Sequence, residues 1–194
     1  MLAYVFWHWP RPGFASGYET RLVRFQQALA SAPPPGLRES FVLALEGAAW
    51  ANGGADAYED WYLLGGSADL DSLNEAAVTS TRQLPHDEAA AAAGGGTGGV
   101  YRLRLGAPVS PPRYAAWFSK PEGLSYPALY DLVRPALASG GGVLWGRQMT
   151  LGPAREFCVH SHERCVLPAA LAALEIPLRR VWPEDASPAT FHTP

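Results

Sequence analysis

The sequence predicts an α+β fold: two tandem β-α-β-β-α-β units whose antiparallel sheets pack face to face. Three observations lead there. The stretch Ala3-Tyr4-Val5-Phe6-Trp7-His8-Trp9 avoids water on both alternating faces and is closed by Pro10. Such a strand belongs inside a sheet covered on both sides. Next, an order of strand and helix patterns laid down over residues 1–107 begins again at 113, beyond a stiff Pro-rich linker at 108–112. Finally, setting Tyr18 against Tyr126 aligns Ala28-Leu29-Ala30-Ser31 with Ala136-Leu137-Ala138-Ser139 without a gap. A matching strand register sets Asp60-Trp61-Tyr62-Leu63 against Glu156-Phe157-Cys158-Val159. Self-similarity of this kind is the mark of an internal duplication. The organisation is therefore a first unit at 1–107, a linker at 108–112, a second unit at 113–183 and a Pro-rich tail at 184–194.

Taken in order, the opening strand stops at Pro10, which has no N–H to donate to a ladder. Tyr18, Leu22, Phe25 and Leu29 make one helical stripe over 18–30, ended by Pro33-Pro34-Pro35-Gly36. Strands follow at 40–45 and 58–64, joined through Asn52-Gly53-Gly54. A helix over 67–78 opens at Ser67 or Asp69. Pro85-His86-Asp87 opens a short helix through the alanines at 89–93, with Asp87 favoured near its N-terminus and His86 able to face a pocket. The run Gly94–Gly99 reads as a mobile low-complexity loop, and it lacks the lysine of a phosphate-binding loop. Val100 to Leu105 alternates as a half-exposed strand nearer an edge than the first. The second unit has an aromatic strand from Tyr114 that ends on Pro121, a helix over 126–139 and strands at 143–149 and 155–160. It closes with a short helix at 167–174 and a last strand at 178–182.

Composition narrows the function classes. At 194 residues, 48% hydrophobic and 17% charged, the chain can bury a sizeable core. A net charge of −3 gives no footprint for nucleic acid. Lys120 is the only lysine, and the excess of Ala, Gly, Pro and Arg fits a GC-rich bacterial genome. No signal peptide and no apolar stretch of membrane-spanning length stand out. Two cysteines, Cys158 and Cys165, make no disulfide framework, so a cytoplasmic protein with reduced thiols is expected.

A split β-α-β repeated once is the ferredoxin-like arrangement, with its first and third strands adjacent and antiparallel. Helices cover one face of each sheet and the tandem copy covers the other. That layout resembles the dimeric α/β-barrel superfamily, here fused in one chain. The superfamily includes cofactor-free monooxygenases, small isomerases and haem-binding enzymes. The resemblance is architectural and carries no catalytic motif onto these residues.

Antiparallel pairing brings His8 and Trp9 beside Tyr58, Glu59 and Asp60. A His–carboxylate pair among aromatic rings can act as a general base in a ligand pocket. More often such a pair is a cross-strand contact that satisfies buried polar groups. Parity leaves open which of Glu59 and Asp60 shares a face with His8. In the second unit Ser119 and Lys120 fall near Arg155 and Glu156. Cys158-Val159-His160-Ser161-His162 puts three metal-competent side chains on one strand face, but the spacing matches no structural zinc pattern. No metal is favoured there, with His160, His162 and Cys158 as the candidates if one binds.

The expected function is binding of a small, largely apolar or aromatic organic ligand, with cofactor-independent acid/base or oxygenase-type chemistry. His8 and Asp60 are the catalytic candidates, and Trp7, Trp9, Tyr58, Tyr62 and Lys120 the ligand-binding ones. Two alternatives stand beside this: a non-enzymatic module that forms homodimers, and a haem or metal protein using His160 and His162.

Overall fold

The computed structural model describes residues 1–150 and 154–183, so the tail at 184–194 lies outside the described residues. The chain opens with β1 (Leu2–Pro10), α1 (Tyr18–Ser31), β2 (Leu37–Leu45) and β3 (Ala57–Leu64). Two helices follow, α2 (Asp69–Ala77) and α3 (Gln83–Ala92), and then β4 (Ala93–Leu105). Next come β5 (Tyr114–Phe118), α4 (Tyr126–Gly140), β6 (Val143–Thr150) and β7 (Phe157–Ser161). The last described strands are β8 (Leu174–Pro177) and β9 (Arg179–Trp182).

Among the described residues these strands form one antiparallel sheet, in the order β8-β5-β7-β6-β4-β1-β3-β2-β9. Strands β1–β4 stand as β4-β1-β3-β2, and strands β5–β8 as β8-β5-β7-β6. The two sets do not form separate sheets laid face to face, as predicted. Pairing of β4 with β6 joins them by hydrogen bonds, and the joined sheet curls on itself. β8 and β9 lie at opposite ends of the strand order, yet only Leu178 separates them in sequence. The sheet is therefore nearly closed. Leu178 is held at that crossing by donating its N–H to the Arg113 carbonyl at 2.8 Å.

Curling makes an inside and an outside. Inside lies a core of Val5, Trp7, Leu43, Trp50, Trp61, Trp117 and Trp145, with other apolar residues from β1 to β8. Outside, α1, α2 and α3 cover the β1–β4 part, and α4 packs Leu129, Val133 and Leu137 onto Phe118, Leu144 and Phe157. β1 is central, between β3 and β4, as its two apolar faces require. Ala3, Val5 and Trp7 face inward and are fully buried; Tyr4, Phe6 and His8 face the helices.

Three local expectations are corrected. The glycines at 94–99 form no loop. They belong to β4 and pair along β1, Gly99 with Val5 and Gly96 with His8. Their lack of side chains makes room for the aromatic rings of β1: a Cβ on Gly96 would lie 2.4 Å from Phe6 Cζ, and one on Gly95 2.6 Å from Trp9 Cζ2. Glycine within a strand marks a close approach. β4 is also not near an edge, because β6 pairs with its outer side. Finally, the helix predicted at 167–174 shrinks to a 3-10 turn over Ala169–Leu171, ended by Ala172 at φ 44. So short a segment cannot sustain helix nucleation alone. Leu174 then begins β8, and the predicted last strand becomes β9, paired with β2.

Candidate active site

β1 and β3 pair with Phe6 opposite Asp60, Trp7 opposite Glu59 and His8 opposite Tyr58. Alternation along a strand then decides the parity question. Asp60 shares the outer face with His8, and Glu59 shares the inner face with Trp7. His8 Nε2 lies 3.0 Å from Asp60 Oδ1, and His8 Nδ1 lies 2.8 Å from the Tyr18 hydroxyl. Tyr62 donates its O–H to Asp60 Oδ2 at 2.9 Å and accepts from Gln26 Nε2 at 3.1 Å. Ser40 donates to Gln26 Oε1 at 2.8 Å, completing the chain. His8, Asp60, Tyr18, Tyr62 and Gln26 are all buried.

With Asp60 ionised, neutral His8 donates from Nε2 to the carboxylate. Nδ1 is then the acceptor, and Tyr18 donates to it. Burial, reinforced by the nearby Asp60 charge, pushes the Tyr18 phenol well up, and Tyr62 likewise. Both therefore remain hydroxyl donors at neutral pH. A proton arriving at the Tyr18 oxygen can pass on to His8 Nδ1, where Asp60 offsets the imidazolium charge.

This network borders a cavity of about 210 Å³ between the outer face of β1 and β3 and the helices above. Tyr4, Phe6, Leu22, Phe25 and Leu73 form much of its apolar wall. Asn74 of α2 and His86 of α3 add polar groups, and the His86 ring meets Phe25 edge-on at 5.5 Å. A small volume, mostly apolar, with a few converging polar groups is the usual form of a small-molecule site.

The other sequence candidates spread more widely. Tyr58 stacks on His8 at 5.8 Å, and its hydroxyl donates to Glu19, which Arg179 of β9 also holds. Burial, followed by the bond to Glu19, pushes the Tyr58 phenol up to about 12. Trp9 is half-buried, its ring against Gly95. Trp7 points away from the cavity, into the barrel, where its indole N–H donates to Glu59 Oε2 at 3.0 Å. Lys120 lies apart, its ammonium donating to the Leu124 carbonyl at 2.6 Å and its backbone N–H to Glu156. His160 is sealed inside the barrel against Trp61, with ring centroids 4.3 Å apart. His162 follows the end of β7 and is exposed. Among the described residues no three His, Cys, Asp or Glu side chains are placed to hold a metal ion.

Sequence reasoning passed over Tyr18 and Gln26. Tyr18 counted only as a member of an apolar stripe, although a buried tyrosine brings a hydroxyl that needs a partner. Gln26 falls four residues beyond Leu22, among Leu22, Phe25 and Leu29. A polar amide in that stripe was the available signal.

No protein-family model and no curated protein matches the sequence. Solved structures do resemble the fold. A crystal structure described as an anthrone oxidase-like protein matches with a TM-score of 0.51 at 10% identity, over 93% of each chain. An arginine-to-alanine variant of chlorite dismutase from Candidatus Nitrospira defluvii matches with a TM-score of 0.38 at 10% identity. That match covers 84% of this chain and 77% of the other. No helix among the described residues is long and apolar enough to cross a membrane. At such identity the likeness is one of fold alone: an α+β chain with a nearly closed antiparallel sheet, shared over most of its length with the anthrone oxidase-like protein.

Proposed function

We propose that the chain binds a small organic ligand, apolar or aromatic over most of its surface, in the cavity above β1 and β3. His8 acts there as general base, oriented by Asp60, and needs no bound cofactor. One observation carries this: a buried imidazole, held by a carboxylate on one nitrogen and a tyrosine on the other, at the wall of a mostly apolar cavity. The ligand gives up a proton to the Tyr18 oxygen as Tyr18 passes its own to Nδ1, and Tyr62 keeps Asp60 in place. Tyr4 and Phe6 form the walls, and Tyr58 steadies the His8 ring from behind. The equal strand orders of β1–β4 and β5–β8 support the companion proposal that 1–107 and 113–183 descend from one duplicated unit.

Native mass spectrometry of the purified protein, followed by titration with whatever ligand it reveals, tests the reading. His8→Ala should abolish turnover and weaken binding. Unchanged affinity and turnover in that variant remove the assignment of His8.

A further inference from the structure

The inner face of the same two strands carries a second polar cluster that the proposed chemistry does not use. Glu59 and His160 are fully buried in the barrel, with Glu59 Oε1 and His160 Nε2 3.9 Å apart. Trp7 holds Glu59 Oε2, but among the described residues Glu59 Oε1, both His160 nitrogens and the indole nitrogens of Trp61 and Trp145 have no hydrogen-bond partner. Buried polar groups are rarely left so, and each unsatisfied one asks for an explanation. For Glu59 Oε1 a bound proton would account for it, because it removes the cost of a buried charge. A protonated Glu59 carries no buried charge, and its Oε1 faces the His160 ring, whose Nε2 lies 3.9 Å away.

The surroundings favour that state. Facing Glu59 are Trp7 of β1, Tyr101 of β4, and Cys158 and His160 of β7, with Asp60 next to it on β3. Burial raises both the Tyr101 phenol and the Cys158 thiol, so neither supplies a charge. Burial likewise lowers His160 to about 3, which leaves it a neutral acceptor. Glu59 itself is pushed up to about 7, because burial outweighs the Trp7 N–H it accepts and the pull of the nearby Trp61 N–H, which is not in hydrogen-bond geometry. The Asp60 charge adds to the rise.

Residues 7 and 8 are neighbours in β1, as 59 and 60 are in β3. Each face of the sheet therefore carries one ring nitrogen bonded to one carboxylate across the same two strands. Trp7 to Glu59 and His8 to Asp60 both measure 3.0 Å.

We propose that Glu59 and His160 form an interior proton-binding site, the proton held on Glu59 Oε1 facing the neutral His160 Nε2 across 3.9 Å, whose charge state is felt at His8 through the sheet. Binding takes one proton from solvent onto the carboxylate and breaks no other bond. Loss of that proton puts a negative charge on the face of β1 and β3 opposite to His8. This makes Glu59 a positioning residue for the pocket chemistry, and in that respect the inference rests on the function proposed above. The proton site itself does not.

The test uses the full chain without ligand, so its failure is separate from a failure to bind one. Infrared difference spectra of wild type from about pH 5 to pH 9 should show a protonated-carboxyl C=O band that titrates near neutrality. Glu59→Gln should lack it. The His8 ring signals in two-dimensional NMR should move with the same midpoint as an inflection in wild type, absent in the variant. No such band in wild type overturns the proton site. A band with no matching inflection at His8 overturns the coupling. Both wild-type measurements stand even if Glu59→Gln fails to fold.

Discussion

Replacing Asp60 with alanine removes the acceptor of two buried bonds, His8 Nε2 at 3.0 Å and the Tyr62 hydroxyl at 2.9 Å. Orphaning a buried donor costs about 1–3 kcal/mol, so two set a ceiling of about 6 kcal/mol. Both groups keep a second partner, Tyr18 for His8 and Gln26 for Tyr62, and the adjoining cavity can admit water. The lower half of the range is therefore expected, about 2–3 kcal/mol. For a domain of this size that lowers the melting temperature by about 4–12 °C. Asp60→Asn keeps one acceptor oxygen but turns an amide N–H₂ toward one of the two donors, so it should fall between wild type and Asp60→Ala. Urea and thermal unfolding of the three proteins measure this directly. Asp60→Ala within about 0.5 kcal/mol of wild type, the range of an ordinary surface change, would refute the network as the link between His8 and Tyr62.

Other perturbations probe other parts of the fold. Gly96→Ala places a Cβ 2.4 Å from Phe6 Cζ and 3.0 Å from the Trp7 carbonyl oxygen. Overpacking of that kind should destabilise by about 1–3 kcal/mol, with part of the loss recovered in a Phe6→Ala background; a neutral Gly96→Ala contradicts the close packing of β1 on β4. For the interior pair, the native state holds the Glu59 proton up to about 7, against an unfolded value of 4.5. Its contribution to stability is full below 4.5 and is lost as pH rises toward 7. Urea titrations should therefore favour Glu59→Gln over wild type increasingly through that window, by up to about 1.4 kcal/mol per pH unit. His160 has the opposite sign: with its native value near 3 against 6.5 unfolded, stability is lost as pH falls below 6.5. His160→Phe should gain on wild type through that acid range, and a flat difference contradicts the neutral buried imidazole. Arg179→Ala breaks a bridge to Glu19 whose arginine is 62% exposed, so unfolding should register less than about 1 kcal/mol.

Much of the fold is legible in the residues because hydrophobic period and turn chemistry are local. The strand at 3–9, the helix stripe of Tyr18, Leu22, Phe25 and Leu29, and the strand at 58–64 each announce themselves and lie where expected. The His8–carboxylate pairing was also visible, since it follows from two adjacent antiparallel strands. What sequence left open was register. A one-residue shift exchanges Glu59 for Asp60 at the pocket, and Trp7 shows the same alternation by pointing into the barrel. The glycines of β4 were unreadable for a related reason. Alone, Gly94–Gly99 looks like loop, and only the rings of Phe6 and Trp9, about 90 residues earlier in the chain, explain why side chains are missing there. The edge-to-edge joining of β4 and β6 and the return of β9 to β2 are long-range pairings with no local signature. Tyr18 and Gln26 were hidden because a helix stripe reveals burial, not the partners of its polar atoms.

The two faces of β1 offer the sharpest measurement of the central claim. NMR titration with small bicyclic aromatic fragments can follow the His8 ring signals on the cavity side and the Trp7 indole N–H on the barrel side in one experiment. The account requires large saturable changes at His8 with the Trp7 signal nearly still, and loss of that response in His8→Ala. Saturable binding that moves Trp7 and leaves His8 unmoved contradicts it.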